Sequence, residues 1–290
     1  MRYCKQPADL NLHEMDTHKT VAIPKPAATV LLVRDAGSGI EVLMMRRNAK
    51  LSFAPGAYVF PGGSVDDTDC APEMHALCSG LSDGQASRTL GVARGGLGYW
   101  VAAMRETFEE AGLLVACDAG GRLVAPTSAE AIERLRRHRD ALNQHTRSLT
   151  EILRDEQLLL AADQLVYYSH WITPEPAPRR YDTRFFVAVA PSTQAALHDN
   201  QETVSHLWAR PAEALDRHQK KEFNLRFPTK CTLEELDAYS SVDSLMTAVK
   251  AHREIPAKLV RLSKDGKRLL PGDAGYEELA PRERQGVWQA

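Results

Sequence analysis

Arg105-Glu106-Thr107-Phe108-Glu109-Glu110-Ala111-Gly112-Leu113 sets three carboxylates and an arginine at helical spacing and ends on a glycine. At about 100° per residue, Glu106, Glu109 and Glu110 fall on one face of a helix. Like charges crowded in this way repel, by a few tenths of a kcal/mol for an i,i+4 pair in an isolated helix, so the cluster points to a resident cation. Hard oxygen donors with no His or Cys among them favour Mg²⁺ or Mn²⁺ over zinc. The opposite face, with Val101, Met104, Phe108 and Ala111, reads as core, while Ala102 and Ala103 on the acidic side are small enough to leave room for a ligand. The pattern predicts a helix over residues 98–111, stopped by Gly112 as a left-handed C-cap. Arg105, beside the glutamates, is placed to orient one of them rather than to touch substrate. A solvated acidic helix face is the alternative reading of such a run, and the segment upstream weighs against it.

That segment is Phe60-Pro61-Gly62-Gly63, which follows the apolar run Ala57-Tyr58-Val59 and puts two glycines where a backbone must turn sharply or come close to something. Together the two pieces resemble the signature of the Nudix hydrolases: a glycine, five residues, a glutamate, seven residues, then Arg-Glu-x-x-Glu-Glu-x-Gly. Counting from Gly63, the position of that first glutamate holds Asp69, and 35 residues (70–104) lie between it and Arg105 where the signature has seven, so 28 are inserted. The inserted text, including Ser79-Gly80-Leu81-Ser82-Asp83-Gly84 and Arg94-Gly95-Gly96, is rich in Gly and Ser and reads as loop. A box split in this way looks like the acyl-coenzyme A diphosphatase subfamily. Leu43-Met44-Met45-Arg46-Arg47, Phe53-Ala54-Pro55-Gly56, Trp171-Ile172-Thr173-Pro174, the run from Pro178 to Phe186 and Trp208-Ala209-Arg210-Pro211 are also similar to it. The resemblance runs from about residue 24 to about residue 240.

What the resemblance implies is an α+β fold, a Nudix-type mixed β-sheet sandwiched between α-helices, with a helical insertion and C-terminal helices. It implies hydrolysis of a diphosphate bond, where two phosphates repel an anionic nucleophile and the site must neutralise charge and hold water in line. Glu106, Glu109 and Glu110 would hold Mg²⁺ or Mn²⁺, and the backbone at Gly62 and Gly63 could approach metal or phosphates. Catalytic roles fall to Glu109, Arg105 and Glu202; the last, in Asp199-Asn200-Gln201-Glu202, occupies a loop before a late strand and is a candidate general base or an ordinary exposed glutamate. Coenzyme A carries a 3′-phosphate, so a cationic cradle is expected from Arg46, Arg47 and Lys50 before the box and from Arg179, Arg180 and Arg184 after it. Arginines that merely solvate a strand edge are the alternative, and Asp182 could pair with one of them. His170 and His206 read as core or edge residues. The function expected first is cleavage of coenzyme A or acyl-coenzyme A to adenosine 3′,5′-bisphosphate and a phosphopantetheine product. ADP-ribose, a dinucleotide or a nucleotide sugar is the second choice of substrate. A nucleotide-binding regulator without catalysis is the third, disfavoured by the complete glutamate set.

Composition frames these expectations. The 290 residues are 43% hydrophobic and 26% charged, enough to bury a full core, and a net charge of −2 offers no bulk attraction to nucleic acid. The chain divides into an N-terminal extension (1–23), a catalytic domain (24–240) with a helical insertion at about 128–163, and a C-terminal helix and tail (241–290) packed on the same domain. Ala28–Val33 and Ile40–Met45 read as strands of a hairpin, and the segments Leu165–Trp171, Arg184–Val189 and Ser205–Trp208 read as further strands. Helices are expected after Pro211, near Leu233–Ala238 and near Val242–His252, with a hairpin at Lys264-Asp265-Gly266-Lys267. Cys4, Cys70, Cys78, Cys117 and Cys231 form no Cys-x-x-Cys pair, and Cys70 and Cys78 lack metal spacing. Reduced thiols, a polar start, no membrane-length apolar run and an end without Ser-Lys-Leu favour the cytoplasm. The partner expected is a small-molecule substrate, with no nucleic acid and no membrane; a homodimer stays open.

Overall fold

The computed structural model describes residues 21–37, 39–251 and 254–279. Residues 1–20 of the expected extension, with Cys4, and the end of the tail lie outside them. The chain opens with β1 (Lys25–Asp35) and β2 (Ile40–Arg47), paired antiparallel with Asp35 opposite Ile40. β3 (Tyr58–Val59) adds to β2 and β4 (Gly62–Ser64) to β1, so the Phe-Pro-Gly-Gly turn is stitched into the sheet on both sides. A 3-10 turn at Asp67–Cys70, α1 (Pro72–His75), β5 (Cys78–Ser79) and α2 (Asp83–Leu90) lead to the acidic helix, α3 (Leu97–Ala111).

Beyond it come β6 (Ala116–Cys117), α4 (Ala129–Asn143), α5 (Leu149–Glu156) and β7 (Leu159–Ala161). The sheet is completed by β8 (Val166–Ile172), β9 (Tyr181–Val189) and β10 (Thr203–Ala209). The second helical layer is α6 (Pro211–Gln219), α7 (Phe227–Leu236) and α8 (Val242–Ala251), followed by β11 (Ala257–Leu259) and a hairpin of β12 (Arg261–Leu262) and β13 (Arg268–Leu269). Strand order in the eight-stranded sheet is β10-β2-β1-β9-β8-β11, with β3 and β4 off that path. β1 runs parallel to β9 and antiparallel to β2, which makes the sheet mixed.

Side chains alternate across a strand, and here both faces are buried. Val30 and Leu32 of β1, Leu43 and Met45 of β2 and Phe186 of β9 pack with Met104 and Phe108 of α3 and with Ile152 and Leu153 of α5. Their neighbours Leu31, Val33, Val42, Met44 and Val187 pack with Ala214 of α6, Leu233 and Leu236 of α7 and Leu245 of α8. The expected helix–sheet–helix sandwich is therefore the observed one. None of the described helices is long and apolar enough to cross a membrane.

Three local expectations are corrected. Residues 70–104 are loop only in part, as at Arg94-Gly95-Gly96: α2 begins at a capping box in which Ser82 Oγ accepts the Gln85 N–H and the Gln85 side chain accepts the Ser82 N–H, and it ends at Gly91 with φ 68°. Ser82, Asp83 and Gly91 are helix punctuation, which a count of Gly and Ser takes for coil. Ala102 and Ala103 are fully buried in the apolar core, so they leave no ligand room. Leu159, inside the expected helical insertion, starts β7 of a small three-stranded sheet, because Gln157 ends α5 in the left-handed conformation (φ 54°).

Candidate active site

The acidic helix is positioned by its ends. At its start, Asp83 of the inserted α2 accepts the N–H groups of Leu97 (3.0 Å) and Gly95 (3.1 Å), placing a carboxylate at the positive end of the helix dipole. At its finish, Gly112 adopts φ 70° and donates to Phe108 O, as its spacing predicted.

Arg105 is buried and organises the acidic face. Its Nε and Nη2 fork onto Asp69 Oδ1 and Oδ2, both at 2.9 Å. Nη1 donates to Glu106 Oε1 and Glu109 Oε2, both at 3.0 Å, and Nη2 also reaches Ser64 O at 2.9 Å. The arginine thus orients two glutamates rather than the expected one. Asp69, in the signature's glutamate position, is its buried counter-ion. The shorter side chain suits that role because Asp69 Oδ2 also accepts the Asp66 N–H at 2.8 Å, as part of a capping box on the preceding turn.

The two glycines sit directly under the carboxylates. Gly63 lies on β4 where a Cβ would overlap the Glu106 carboxyl group, and a Cβ on Gly62 would overlap the β1 backbone at Ala28 and Thr29. Gly62 N–H donates to Glu110 Oε2 at 3.1 Å, while Glu110 Oε1 is buried with no hydrogen-bond partner. Burial raises the pKa of all three glutamates. For Glu106 it outweighs the Arg105 charge and, with Glu109 and Glu202 adding to it, pushes the carboxyl up to about 7. Glu110 is pushed well above the usual range, first by burial and then by the charges of Glu106 and Glu202. For Glu109 burial again prevails over Arg105.

The basic candidates separate. Arg47 faces the acidic helix and pairs with Glu202 (Nη2–Oε1 2.7 Å), the residue whose charge acts on Glu106 and Glu110. Arg46, the next residue along an alternating strand, lies over Tyr58 at 5.9 Å and so faces the opposite side of the sheet. Arg179 is exposed and holds Ser52 Oγ at 3.0 Å. Arg180 is buried and donates to Thr173 O and Ala22 O. Arg184 is buried among Tyr99, Tyr167, Asp182 and His170, so His170 is a cluster member rather than a plain core residue, and Asp182 is the structural partner that was expected. Of these, Arg46 lies on the sheet face away from the acidic helix, and Arg180 and Arg184 are buried and bonded to other protein groups.

Two contributors escaped the sequence reading. Arg139 and Asn143 of α4 hydrogen-bond the carbonyls of Glu109 and Glu110. No local pattern signals this, since their partners lie about 30 positions upstream.

Among the described residues, no three His, Cys, Asp or Glu side chains converge on one point, because Glu106 and Glu109 turn to Arg105 and Glu110 turns to Gly62. The donor set nevertheless fits a hard divalent cation. Its atoms are all carboxylate oxygens, one of them is buried without a partner, and the three carboxylates disfavour one another's charge.

Known proteins resemble this chain in sequence and in fold. Residues 19–236 match the family described as the NUDT19 Nudix domain. The chain is 24% identical over 315 residues to an acyl-coenzyme A diphosphatase NUDT19 of Xenopus laevis, covering 96% of this chain and 82% of that one. It is 29% identical over 278 residues to the protein of that name from Gallus gallus, covering 82% and 73%. In structure it is similar to a NUDIX hydrolase from Alicyclobacillus acidocaldarius, with a TM-score of 0.63 and 28% identity over 79% of this chain and 97% of that one.

Two outcomes test the site. Asp69→Ala leaves the Arg105 guanidinium buried without its main counter-ion, and urea denaturation should show a loss of about 3–5 kcal/mol; a change near zero would mean that the pair does not organise the site. A carboxyl whose pKa is higher in the fold than in the unfolded chain stabilises the fold while protonated and loses that contribution as pH rises. The metal-free protein should therefore lose stability as pH rises from the usual carboxylate range to about 7, and Glu106→Gln should flatten part of that slope. Parallel curves for the two proteins would contradict it.

Proposed function

We propose, for a chain that belongs to the NUDT19 Nudix domain family and is a Nudix pyrophosphohydrolase, that its substrate is coenzyme A or acyl-coenzyme A. The products are adenosine 3′,5′-bisphosphate and (acyl-)phosphopantetheine. The observation that carries the reading is the intact set of Arg105, Glu106, Glu109 and Glu110 held over Gly62 and Gly63 by Asp69. The names of the relatives favour the coenzyme A class among diphosphates.

Glu106, Glu109 and Glu110 would hold Mg²⁺ or Mn²⁺. When bound, the ion neutralises the two phosphates and polarises the phosphoryl oxygens. Arg105 keeps Glu106 and Glu109 on one face, and the Gly62 N–H keeps Glu110 beside them. Glu202, held by Arg47 at the edge of this face, takes the proton of the attacking water as general base. The water oxygen bonds to one phosphorus, the bridging P–O bond breaks, and the other phosphate leaves with the bond's electron pair. Arg47, held by Glu202 beside the acidic helix, and the exposed Lys50 and Arg179 form the cradle in this reading. The catalytic unit is residues 24–240, with 128–163 inserted into it, and the site of action is the cytoplasm.

Incubation with an acyl-coenzyme A and Mg²⁺ should release adenosine 3′,5′-bisphosphate, identified by mass, faster than ADP-ribose is cleaved. Glu110→Gln should lower turnover by at least ~10²-fold, as loss of a charge held at the reacting centre does. Preference for ADP-ribose would overturn the substrate assignment, and unchanged turnover in Glu110→Gln would move the site elsewhere.

A further inference from the structure

The last four carbonyls of a helix have no partner within it, and in α3 these belong to Phe108, Glu109, Glu110 and Ala111. Each is satisfied from outside the helix. Gly112 N–H bonds Phe108 O at 3.0 Å, and Leu197 N–H, from the loop that leads to Glu202, bonds Ala111 O at 2.9 Å. The two between them, on the residues that carry site glutamates, are taken by one side chain of the inserted helix α4. Arg139 Nε donates to Glu109 O at 2.9 Å and Arg139 Nη2 to Glu110 O at 2.7 Å. Asn143 Nδ2, one turn further along α4, also donates to Glu109 O at 3.2 Å.

This arginine is 4% exposed, so its charge is screened little by solvent and acts at the negative end of the α3 dipole. Its placement also depends on the close passage of Gly112, whose Cβ position lies 3.2 Å from Arg139 Nη1. Beside it a cleft lined by Arg136, Asp140, Asn143, His198 and Asp199 separates α4 from the 197–201 loop. Between them, α4 and that loop grip the end of the helix that presents Glu109 and Glu110.

We propose that Arg139 is a positioning residue for the metal-holding carboxylates: it fixes the backbone of Glu109 and Glu110, and through it the helical insertion sets the affinity of the site for its cation. The proposal rests on the reading of Glu106, Glu109 and Glu110 as the metal site. Arg139 touches neither metal nor substrate. Its influence passes through two peptide carbonyls, one bond removed from the Cα atoms of the glutamates.

The test is Mn²⁺ binding to the full chain, followed by electron paramagnetic resonance of the free ion, for the wild type and for Arg139→Met, Arg139→Lys and Asn143→Ala. Arg139→Met should weaken Mn²⁺ binding roughly tenfold, the range found when groups that orient metal ligands are removed. Arg139→Lys keeps the charge and reaches one carbonyl only, so its loss should be smaller; that of Asn143→Ala should be smaller still. At saturating metal, kcat should fall in the same order while KM stays near the wild-type value. A folded Arg139→Met with wild-type Mn²⁺ affinity overturns the proposal, even if its melting temperature drops. If Arg139→Met does not fold, wild-type affinity in Arg139→Lys overturns it instead. Failure of the wild type to bind Mn²⁺ at all would overturn the metal reading itself, which the first two outcomes leave standing.

Discussion

A guanidinium buried beneath a sheet-packed helix has five N–H donors to satisfy, and the geometry of this protein around Gly62–Glu110 is the solution to that problem. Arg105 places two donors on Asp69, one each on Glu106 and Glu109, and one on the Ser64 carbonyl. Those contacts tie the β4 strand, the turn at Asp67–Cys70 and the acidic helix to one another. They also convert an excess of negative charge into an ordered surface. Without the arginine, the carboxylates would have only their mutual repulsion and the cost of burial. With it, two of them share a direction, and the third is caught by the Gly62 N–H. The glycines follow from the same constraint, since the Glu106 carboxyl lies where any Gly63 side chain would begin.

That helix is held from both ends. The segment that splits the Nudix box contributes Asp83 at the N-terminal end, and α4 contributes Arg139 at the C-terminal end. Each carries the sign that the helix dipole favours at its position. Both contacts reach the acidic helix through its backbone. The same helix is buried against the sheet along most of its length, from Leu97 to Ala111, so displacing it disturbs the core as well as the site. Function and stability therefore meet in one element. The raised carboxyl groups are the destabilising side of that arrangement, which a cation held there would offset.

The acidic face was legible because it depends on local spacing, three glutamates within five positions ending at Gly112, and the apolar run Val30–Val33 read as a strand, while the helix–sheet–helix arrangement followed from the family resemblance. The role of Arg105 was legible in part, since a neighbour on a helix must meet its own i+4 residue. What stayed hidden depends on distance along the chain. Arg139 reads as one more charge on a polar helix until its contact with Glu110 O is known. Arg46 and Arg47 are equivalent in a list of basic residues, yet strand alternation sends them to opposite faces. Arg180 and Arg184 have the composition of a phosphate cradle and the burial of core residues. Around Ser82 the signal was present in the spacing to Gln85, and composition concealed it.

The central claim is that the Arg105–Asp69 fork, which orients Glu106 and Glu109, and the Gly62 N–H, which holds Glu110, keep the three glutamates where one cation can draw them together, and anomalous diffraction from crystals soaked in Mn²⁺ tests it most directly. The account predicts anomalous peaks bound by carboxylate oxygens of Glu106, Glu109 and Glu110, with the Arg105 fork onto Asp69 unchanged. Peaks at other residues, or a site that forms only when Arg105 lets go of Asp69, would contradict it.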